Sequence, residues 1–544
     1  MERRWFGAVL VGAIAFAIYL RTAARSAPYG DGPELTVAAY QLGVPQPTGY
    51  PLYTLLGHLF IRCIPFGEII FRMTLMSVIA SALTIGVLYA LGTALFRRRW
   101  IAAFVALFFA FTDTFWQHAV VTGVYALHML LVTSALTCLV FWNRTGKAGY
   151  LRAAALIYGL SLAHHLMTIM WAPALILMVA LSPHRRQARE QWGWVLGGLA
   201  APLLLYLYLP LAALRDPPMN WGDVTTFRHF VDHVTGAQFR DRMGQGITKT
   251  FWSKTVNYAG WPQHHGRDGF LLSQFSIAIL WLAPVGLWSL WRHWRRFLWV
   301  TVTAYVISLL WALSYNIVDP EAYYLPSHLM VALWIGYGIR ELAQRLFLLM
   351  RRTRMTRMEL RHVRRVFQVG VVLLPSLTLM AGWRLHDMSR RREMAILGRQ
   401  AFARVAPNSI VLAASDAWLF SFLYVHYVEG LRPDIELIRA YDVDWRDWRL
   451  ITRTNKHGVI VREPLCSVKA RNKNAHALCR LEKVILDNYR RRPVYLAGSV
   501  AVELEQNKQA MRHLPRYEHV VEGAPMLRFL PDSRPELPSP EFGE

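Results

Sequence analysis

Asp31 and Glu34 stand three residues apart in Tyr29-Gly-Asp-Gly-Pro-Glu-Leu35, separated by a Gly-Pro turn. A carboxylate in such a place can take a proton from a hydroxyl as its oxygen attacks, and a second acid can assist or position the acceptor. The stretch that follows, Gly43-Val-Pro-Gln-Pro-Thr-Gly-Tyr-Pro51, carries three prolines and two glycines, which fix a backbone that is neither helix nor strand. Apolar spans flank the whole segment, so the acids lie at a membrane surface. Irregular backbone survives there only where it is buried in protein or lines a polar cavity. An acid held by it is a functional candidate before it is a structural residue. Asp31 is therefore read as a general base and Glu34 as its helper.

Other segments on the same expected side carry acids, histidines, arginines and aromatics: Asp113 to Tyr125, then Asn220-Trp-Gly-Asp223 through Arg242, then Asp319 to Tyr324. If they converge, the arrangement suits an enzyme acting on a lipid-borne substrate. Arg72, Arg240 and Arg242 are candidates for stabilising a leaving lipid phosphate. Tyr50, His164, His165, Trp221, Asp223, Asp319 and Tyr324 complete the binding set. Each has a plainer alternative. Asp31 suits a helix N-cap for a segment starting near Pro33, and Trp221 to Asp223 suits a turn. His164 and His165 suit packed interfacial positions, Asp319 the cap of a following span, and Arg240 and Arg242 partners in Asp241 or lipid headgroups. No metal-ligand spacing occurs, so no cofactor is assigned, although a divalent metal stays open.

The elements that must position these residues are membrane helices. The chain has 544 residues, 54% hydrophobic and only 17% charged, with mean hydropathy +0.24. That is too apolar for a soluble protein of this size. The net charge of +25 falls largely in short clusters between apolar spans. Those are retained cytoplasmic loops and not a nucleic-acid surface. About eleven spans of bilayer length are expected, beginning at Trp5–Leu20, with the first and third short. The first span precedes Ala24-Arg-Ser-Ala27 and reads either as a helix that stays or as a removed signal. With the N-terminus cytoplasmic, Arg97 to Arg99, Arg144, Arg185, Arg186, Arg292, Arg295, Arg296, Arg351 and Arg352 all fall inside, and every acid-bearing segment falls outside. The same parity places the sequon Asn143-Arg-Thr145 inside and demotes it.

Residues 1–385 are thus expected to form the membrane unit and 386–544 a small extracytoplasmic α/β domain. Ser409 to Asp416, ending in an acid, Asp434 to Ile438 and Pro493 to Ala497 read as strands, and Trp418 to Val428 as a helix with Gly430 as its C-cap. The Pro- and Glu-rich end reads as disordered. Cys466 and Cys479 share this domain; a disulfide and two free thiols are both open.

Several motifs carry a family likeness. They are Asp31-Gly-Pro-Glu-Leu35, Ala39-Tyr-Gln-Leu-Gly-Val44, Pro47-Thr-Gly-Tyr-Pro-Leu52, Val124-Tyr-Ala-Leu127 and Gly159-Leu-Ser-Leu-Ala-His-His165. Tyr206-Leu-Tyr-Leu-Pro-Leu211, Asn220-Trp-Gly-Asp223, Tyr315-Asn-Ile-Val-Asp319, Tyr324-Leu-Pro326 and Glu429-Gly-Leu-Arg-Pro-Asp434 complete the set. The sequence resembles a bacterial multi-spanning family related to a eukaryotic endoplasmic-reticulum protein O-mannosyltransferase, within the GT-C glycosyltransferases. The resemblance implies a mainly α, GT-C-type bundle. It implies transfer of a sugar from a polyprenyl-phosphate donor, with inversion, to an extracytoplasmic hydroxyl of a protein or glycan, protein Ser/Thr favoured, and Asp31 as base. A bacterial cytoplasmic membrane is the expected location. The chain departs from the family pattern at Gly123, where Glu is expected, and at Gly32-Pro33, where Ser-Gly is. Asp113 or Glu34 would then supply any second acid. Two other classes remain. A flippase or transporter of a lipid-linked saccharide calls for charged or broken mid-membrane helices and inverted repeats. A non-catalytic scaffold calls for loop acids held apart.

Overall fold

The computed structural model describes residues 2–242, 251–259, 271–317, 320–350, 356–414, 416–439, 459, 481–482, 484–499, 501–502, 514–520 and 526–530. Asp319, Cys466, Cys479 and the final Pro- and Glu-rich residues lie outside the described residues. The first half of the bundle comprises α1 (Glu2–Thr22), α2 (Gly32–Gln41), α3 (Pro51–Cys63), α4 (Ile69–Phe96), α5 (Arg99–Ala110), α6 (Asp113–Ala119), α7 (Tyr125–Thr145) and α8 (Ala148–Leu162). Next come α9 (Ala172–Ala180), α10 (Arg185–Glu190), α11 (Trp192–Ala200), α12 (Tyr208–Ala213), α13 (Phe227–Val234) and α14 (Phe251–Ala259). The rest are α15 (Leu271–Leu280), α16 (Leu282–His293), α17 (Arg295–Ser314), α18 (Leu325–Met350), α19 (Arg357–His386), α20 (Glu393–Ala403) and α21 (Asp416–Tyr427).

Among the described residues, six helical stretches are long and apolar enough to cross a bilayer, or eight if two sharply bent pairs each count as one span. About eleven were expected from apolar length alone. The difference has a local cause. The third expected span, from about Trp100 to Thr112, stops at a 70° bend between α5 and α6, and the segment from Asp113 expected as a loop begins with a short helix. The fifth and sixth are short, Ala148–Leu162 and Leu166–Ala180, the second opening as a 3-10 turn. Helix pairs close on small residues, as membrane helices do. Gly12 and Gly86 bring α1 and α4 together: a Cβ on Gly12 would lie 3.1 Å from the Ala82 carbonyl oxygen, and one on Gly86 3.1 Å from that of Ala8. Gly286 and Gly338 bring α16 and α18 into backbone contact, so a Cβ at either would strike a carbonyl of the other helix. α19 starts at a capping box, Thr356 with Glu359, so its basic first turns are helical too.

The last part of the chain carries a five-stranded sheet of order β2-β1-β3-β5-β4. The strands are β1 (Ile410–Ala414), β2 (Glu436–Arg439), β3 (Val494–Gly498), β4 (Tyr517–His519) and β5 (Met526–Phe529). β1 pairs in parallel with β2 and β3, while β5 runs antiparallel to β3 and β4. The three strands and the helix read from sequence are all present; β4 and β5 are additions. One face of the sheet and α21 share a core with Val37 and Ala38 of α2. The other face packs on Leu481, Val484 and Ile485.

Candidate active site

α2 begins at Gly32 with Asp31 in the N-cap position, yet the Asp31 side chain makes no cap hydrogen bond. Its Oδ2 instead accepts from Gln46 Nε2 at 2.9 Å, in an exposed setting. Glu34, in the first turn of α2, is fully buried, and its Oε1 accepts from the Gln46 backbone N at 2.8 Å. One residue therefore ties both acids. Pro45 and Pro47 have no N–H, so the Gln46 amide is the backbone donor that this run can offer. The N-cap alternative is right about where α2 starts, but the carboxylate is not spent on capping.

The segment between α2 and α3 is irregular as expected. It is held by a second loop. Val44 forms a parallel bridge with Asn220: Val44 N donates to Met219 O at 2.7 Å and Trp221 N to Val44 O at 3.0 Å. Tyr208 donates to the Gly43 carbonyl at 2.8 Å and Arg215 to that of Leu42 at 2.8 Å. A side chain at Gly43 would meet the Met219 carbonyl. Trp221, Gly222 and Asp223 do form a turn, with positive φ at Gly222 (78°) and Asp223 (40°). The turn's task is to receive the Gly43-to-Tyr50 loop. Trp221 Nε1 donates to Gln238 at 3.2 Å, and half-buried His229 and buried His233 close its back: His229 Nδ1 bonds the Asp223 carbonyl at 2.9 Å. Burial pushes His233 down to about 3.

Tyr50 ends the loop, buried, with φ 39°. Burial, then the nearby Tyr323, Asp31, Glu34 and Tyr315, raises its hydroxyl well above the usual phenol range. An aromatic cluster extends from it. Ring centres lie 5.4 Å apart for Tyr50 and His165, 5.7 Å for Tyr125 and His165, and 5.8 Å for Tyr125 and Tyr323. Tyr315 and His118 extend it, at 5.3 Å from Tyr323 and 4.9 Å from Tyr125. His164 and His165 form its buried floor. His164 Nε2 donates to the Val124 carbonyl at 2.8 Å, its ring stacked 5.9 Å from Tyr53, and His165 Nδ1 accepts from Met167 N at 3.1 Å. This combines the packed reading of the histidines with a place in the candidate site.

Cations gather at one rim. The 3-10 turn Ala237–Arg242 lies beside Thr48, since a Cβ on Gly236 would be 3.7 Å from Thr48 Cγ2. The Arg242 carbonyl accepts from Asn316 N at 3.0 Å. Arg240 and Arg242 are exposed; Arg240 donates to Thr235 Oγ1 at 3.0 Å. Lys254 donates to the Tyr315 carbonyl at 2.7 Å, and partial burial lowers its pKa. Sequence reading missed Lys254 and Gln46; the proline spacing around Gln46 was the available signal.

Three expected residues stand elsewhere. Arg72 spends its guanidinium on the carbonyls of Ile61 (2.9 Å) and Gly67 (3.3 Å), closing the end of α3. Asp113 pairs with His386 at 2.9 Å, tying α6 to the end of α19. Tyr324 points into a packed group, 4.9 Å from Tyr258 and 6.3 Å from His328. Its neighbour Tyr323 faces Tyr125, because successive residues of a 3-10 turn point about 120° apart. Among the described residues no three His, Cys, Asp or Glu side chains are grouped so as to hold a metal ion.

This helical bundle, with a carboxylate at the start of α2, has the fold of the GT-C glycosyltransferases. The chain is similar along 96% of its length to ArnT from Cupriavidus metallidurans, solved bound to undecaprenyl phosphate (TM-score 0.55, 11% identity, 97% of that chain). It is also similar along 94% to the Archaeoglobus fulgidus oligosaccharyltransferase in the apo form (TM-score 0.52, 12% identity, 73% of that chain). Residues 31–188 match the family model of the protein O-mannosyl-transferase TMEM260 N-terminal domain. The mouse protein O-mannosyl-transferase TMEM260 is 25% identical over 457 residues, 79% of this chain and 62% of its own length. The Dictyostelium discoideum counterpart is 23% identical over 487 residues, 80% of this chain and 57% of its own. The chain thus spans about three fifths of the length of these curated relatives.

Proposed function

We propose that this protein is a membrane glycosyltransferase that moves a sugar from a polyprenyl-phosphate donor to an acceptor hydroxyl, protein Ser/Thr favoured over a glycan, with inversion at the sugar carbon. The observation that carries it is Asp31: an exposed carboxylate, unused by its own helix and held by Gln46, within electrostatic reach of Tyr50 and its aromatic cluster. The names of the relatives favour mannose and a protein acceptor.

In the proposed step the acceptor oxygen attacks the anomeric carbon while its proton passes to Asp31. The bond from that carbon to the phosphate oxygen breaks, and polyprenyl phosphate leaves with the charge. Arg240, Arg242 and Lys254 supply cations on the rim where that charge develops. Tyr50, Tyr125 and Tyr323 offer ring faces for the sugar. Glu34, buried behind Gln46, keeps the loop in place. The donor lipid lies between helices, residues 1–385 act as the catalytic membrane unit, and 386–544 as the external unit. The basic end of the bundle faces the cytoplasm, consistent with a bacterial cytoplasmic membrane: Arg97, Arg144 and Arg340 all lie within electrostatic reach of Tyr337 there.

The test is transfer from polyprenyl-phosphate-mannose to a Ser/Thr peptide by purified protein in nanodiscs. Asp31→Asn keeps the shape and removes the base; transfer falls about 10²-fold or more while donor binding persists. Wild-type turnover by that variant overturns the assignment. Movement of the lipid-linked sugar across the bilayer without transfer would favour the flippase reading.

A further inference from the structure

The bundle has a second polar feature at its other end. α7 starts at Tyr125 and α17 ends one residue before Tyr315, both in the aromatic cluster. Their far ends, near Asn143 and Arg295, are therefore about 27–30 Å away, the thickness of a hydrocarbon layer. Between those ends lies a cavity of about 400 Å³. Asn143, His293, Arg295 and Arg296 form its polar wall; Met178, Leu181, Phe297 and Val300 form its apolar one.

The two arginines are exposed but oriented. Arg296 Nη1 donates to the Leu181 carbonyl at 3.1 Å, across the gap to the end of α9. Arg295 Nε donates to the Trp291 carbonyl at 3.1 Å, with its guanidinium 4.6 Å from the Trp291 ring centre. Each guanidinium has five N–H donors, and these bonds occupy one apiece. Glu341, the acid that meets His293 of the cavity wall, is engaged by Arg345 at 2.9 Å, by Ser289 at 3.1 Å and by His293 at 3.7 Å. With Arg292 beside them the surroundings are net cationic. Exposed apolar side chains continue from the cavity along the outside of α9 and α17: Ile176, Trp299 and Val306. Trp291 and Trp299 stand in contact, ring centres 6.3 Å apart, as interface tryptophans do.

We infer that this cavity binds the headgroup of an anionic phospholipid. Arg295 and Arg296 hold the phosphate bidentately, Asn143 donates to a headgroup oxygen, and the acyl chains lie along the apolar outer face of α9 and α17. A free phosphate would use the arginines alone; a lipid uses the apolar wall and the exposed strip as well. This site is separate from the Asp31 cluster and independent of the transfer reaction.

The test is native mass spectrometry and thermal melting of the full-length protein. Phosphatidylglycerol, phosphatidylcholine and inorganic phosphate are added in turn to wild type, to Arg295→Gln/Arg296→Gln, and to a control pair at the same end, Arg98→Gln/Arg99→Gln. Wild type and the control retain phosphatidylglycerol at least tenfold over phosphatidylcholine, and the Arg295/Arg296 double variant loses that preference. Arg295→Lys/Arg296→Lys, which keeps the charge without the fork, is intermediate and shows that the fold is intact. Retention by the Gln double variant overturns the inference, as does equal loss in the control pair. Stabilisation by inorganic phosphate equal to that by phosphatidylglycerol makes it an anion site and overturns the lipid.

Discussion

Gln46 is the residue on which the proposed chemistry turns, although its type announces nothing. Its side chain fixes Asp31 and its backbone fixes Glu34. Gln46→Ala removes the first bond and leaves the second, so the loop stays in place while the base loses its orientation. Transfer falls about 5- to 30-fold, the cost of roughly 1–2 kcal/mol of lost positioning, with little change in donor KM and no change in melting. Steady-state kinetics beside a melting curve check this; a loss of stability equal to the loss of rate would make Gln46 merely structural. Asp31 drew notice in the sequence because an acid on a rigid loop between membrane spans is costly without a use. Gln46 did not, because an amide in a Pro-rich turn reads as filler. Gly123 stands where the resemblance leads one to expect Glu. A Cβ there would meet nothing within 4 Å, so the position has room for a side chain. Gly123→Glu is expected to fold with a stability change within about 0.5 kcal/mol, measured by melting in detergent.

At the scale of elements, the loop between α2 and α3 is a clamp with two halves, and its glycine marks the contact. Gly43→Ala would push a methyl into the Met219 carbonyl, parting the Val44–Asn220 bridge at a cost of about 1–3 kcal/mol. Hydrogen exchange at Val44 and Trp221 should accelerate accordingly. His233 sits behind the turn, and burial holds its pKa at about 3 against about 6.5 when unfolded. The unfolded chain therefore binds a proton below pH 6.5 that the native clamp refuses. Stability from this group is present above pH 6.5 and is lost as pH falls toward 3, by at most about 1.4 kcal/mol per pH unit. Melting between pH 7 and 5 should fall more steeply in wild type than in His233→Asn; equal slopes would mean that His233 is not held neutral. Asn220-Trp-Gly-Asp223 was readable as a turn, but its partner was not, since the two loops are far apart in the sequence and share no periodicity. The count of about eleven spans is not confirmed among the described residues, since hydropathy records apolar length and does not register a bend such as that between α5 and α6, where Asp113 meets His386.

For the whole molecule, the sheet, α21 and the helix that follows Asp31 are joined through one core. α21 lies on α2, with Leu419, Phe420, Leu423 and Tyr424 in the same core as Val37 and Ala38. Tyr424 OH accepts from Ile70 N at 3.4 Å, and Arg399 grips Glu429 through two bonds of 2.8 and 2.7 Å while approaching Glu68 at 3.9 Å. The Glu429-to-Asp434 motif, legible only as a family likeness, acquires a physical reason. Gly430 turns out of α21 with φ 70°. Arg432 then clamps Asp434 through two 2.8 Å bonds and holds the carbonyls of Phe402, Val405 and Ala406. Strand alternation divides the sheet's side chains between two cores: Leu496 lies on the face away from α2, whereas Leu423 of α21 is on the side toward it. Leu423→Ala and Leu496→Ala each open a cavity costing about 2–5 kcal/mol. Below their melting temperatures they should part company. Leu423→Ala loosens α2, speeds amide exchange across Leu35 to Ala39 and lowers the proposed transfer several-fold, although Leu423 lies in α21 and Asp31 at the start of α2. Leu496→Ala leaves both at wild-type levels. Equal transfer by the two variants would mean that the sheet is cargo on the bundle and not a brace for Asp31.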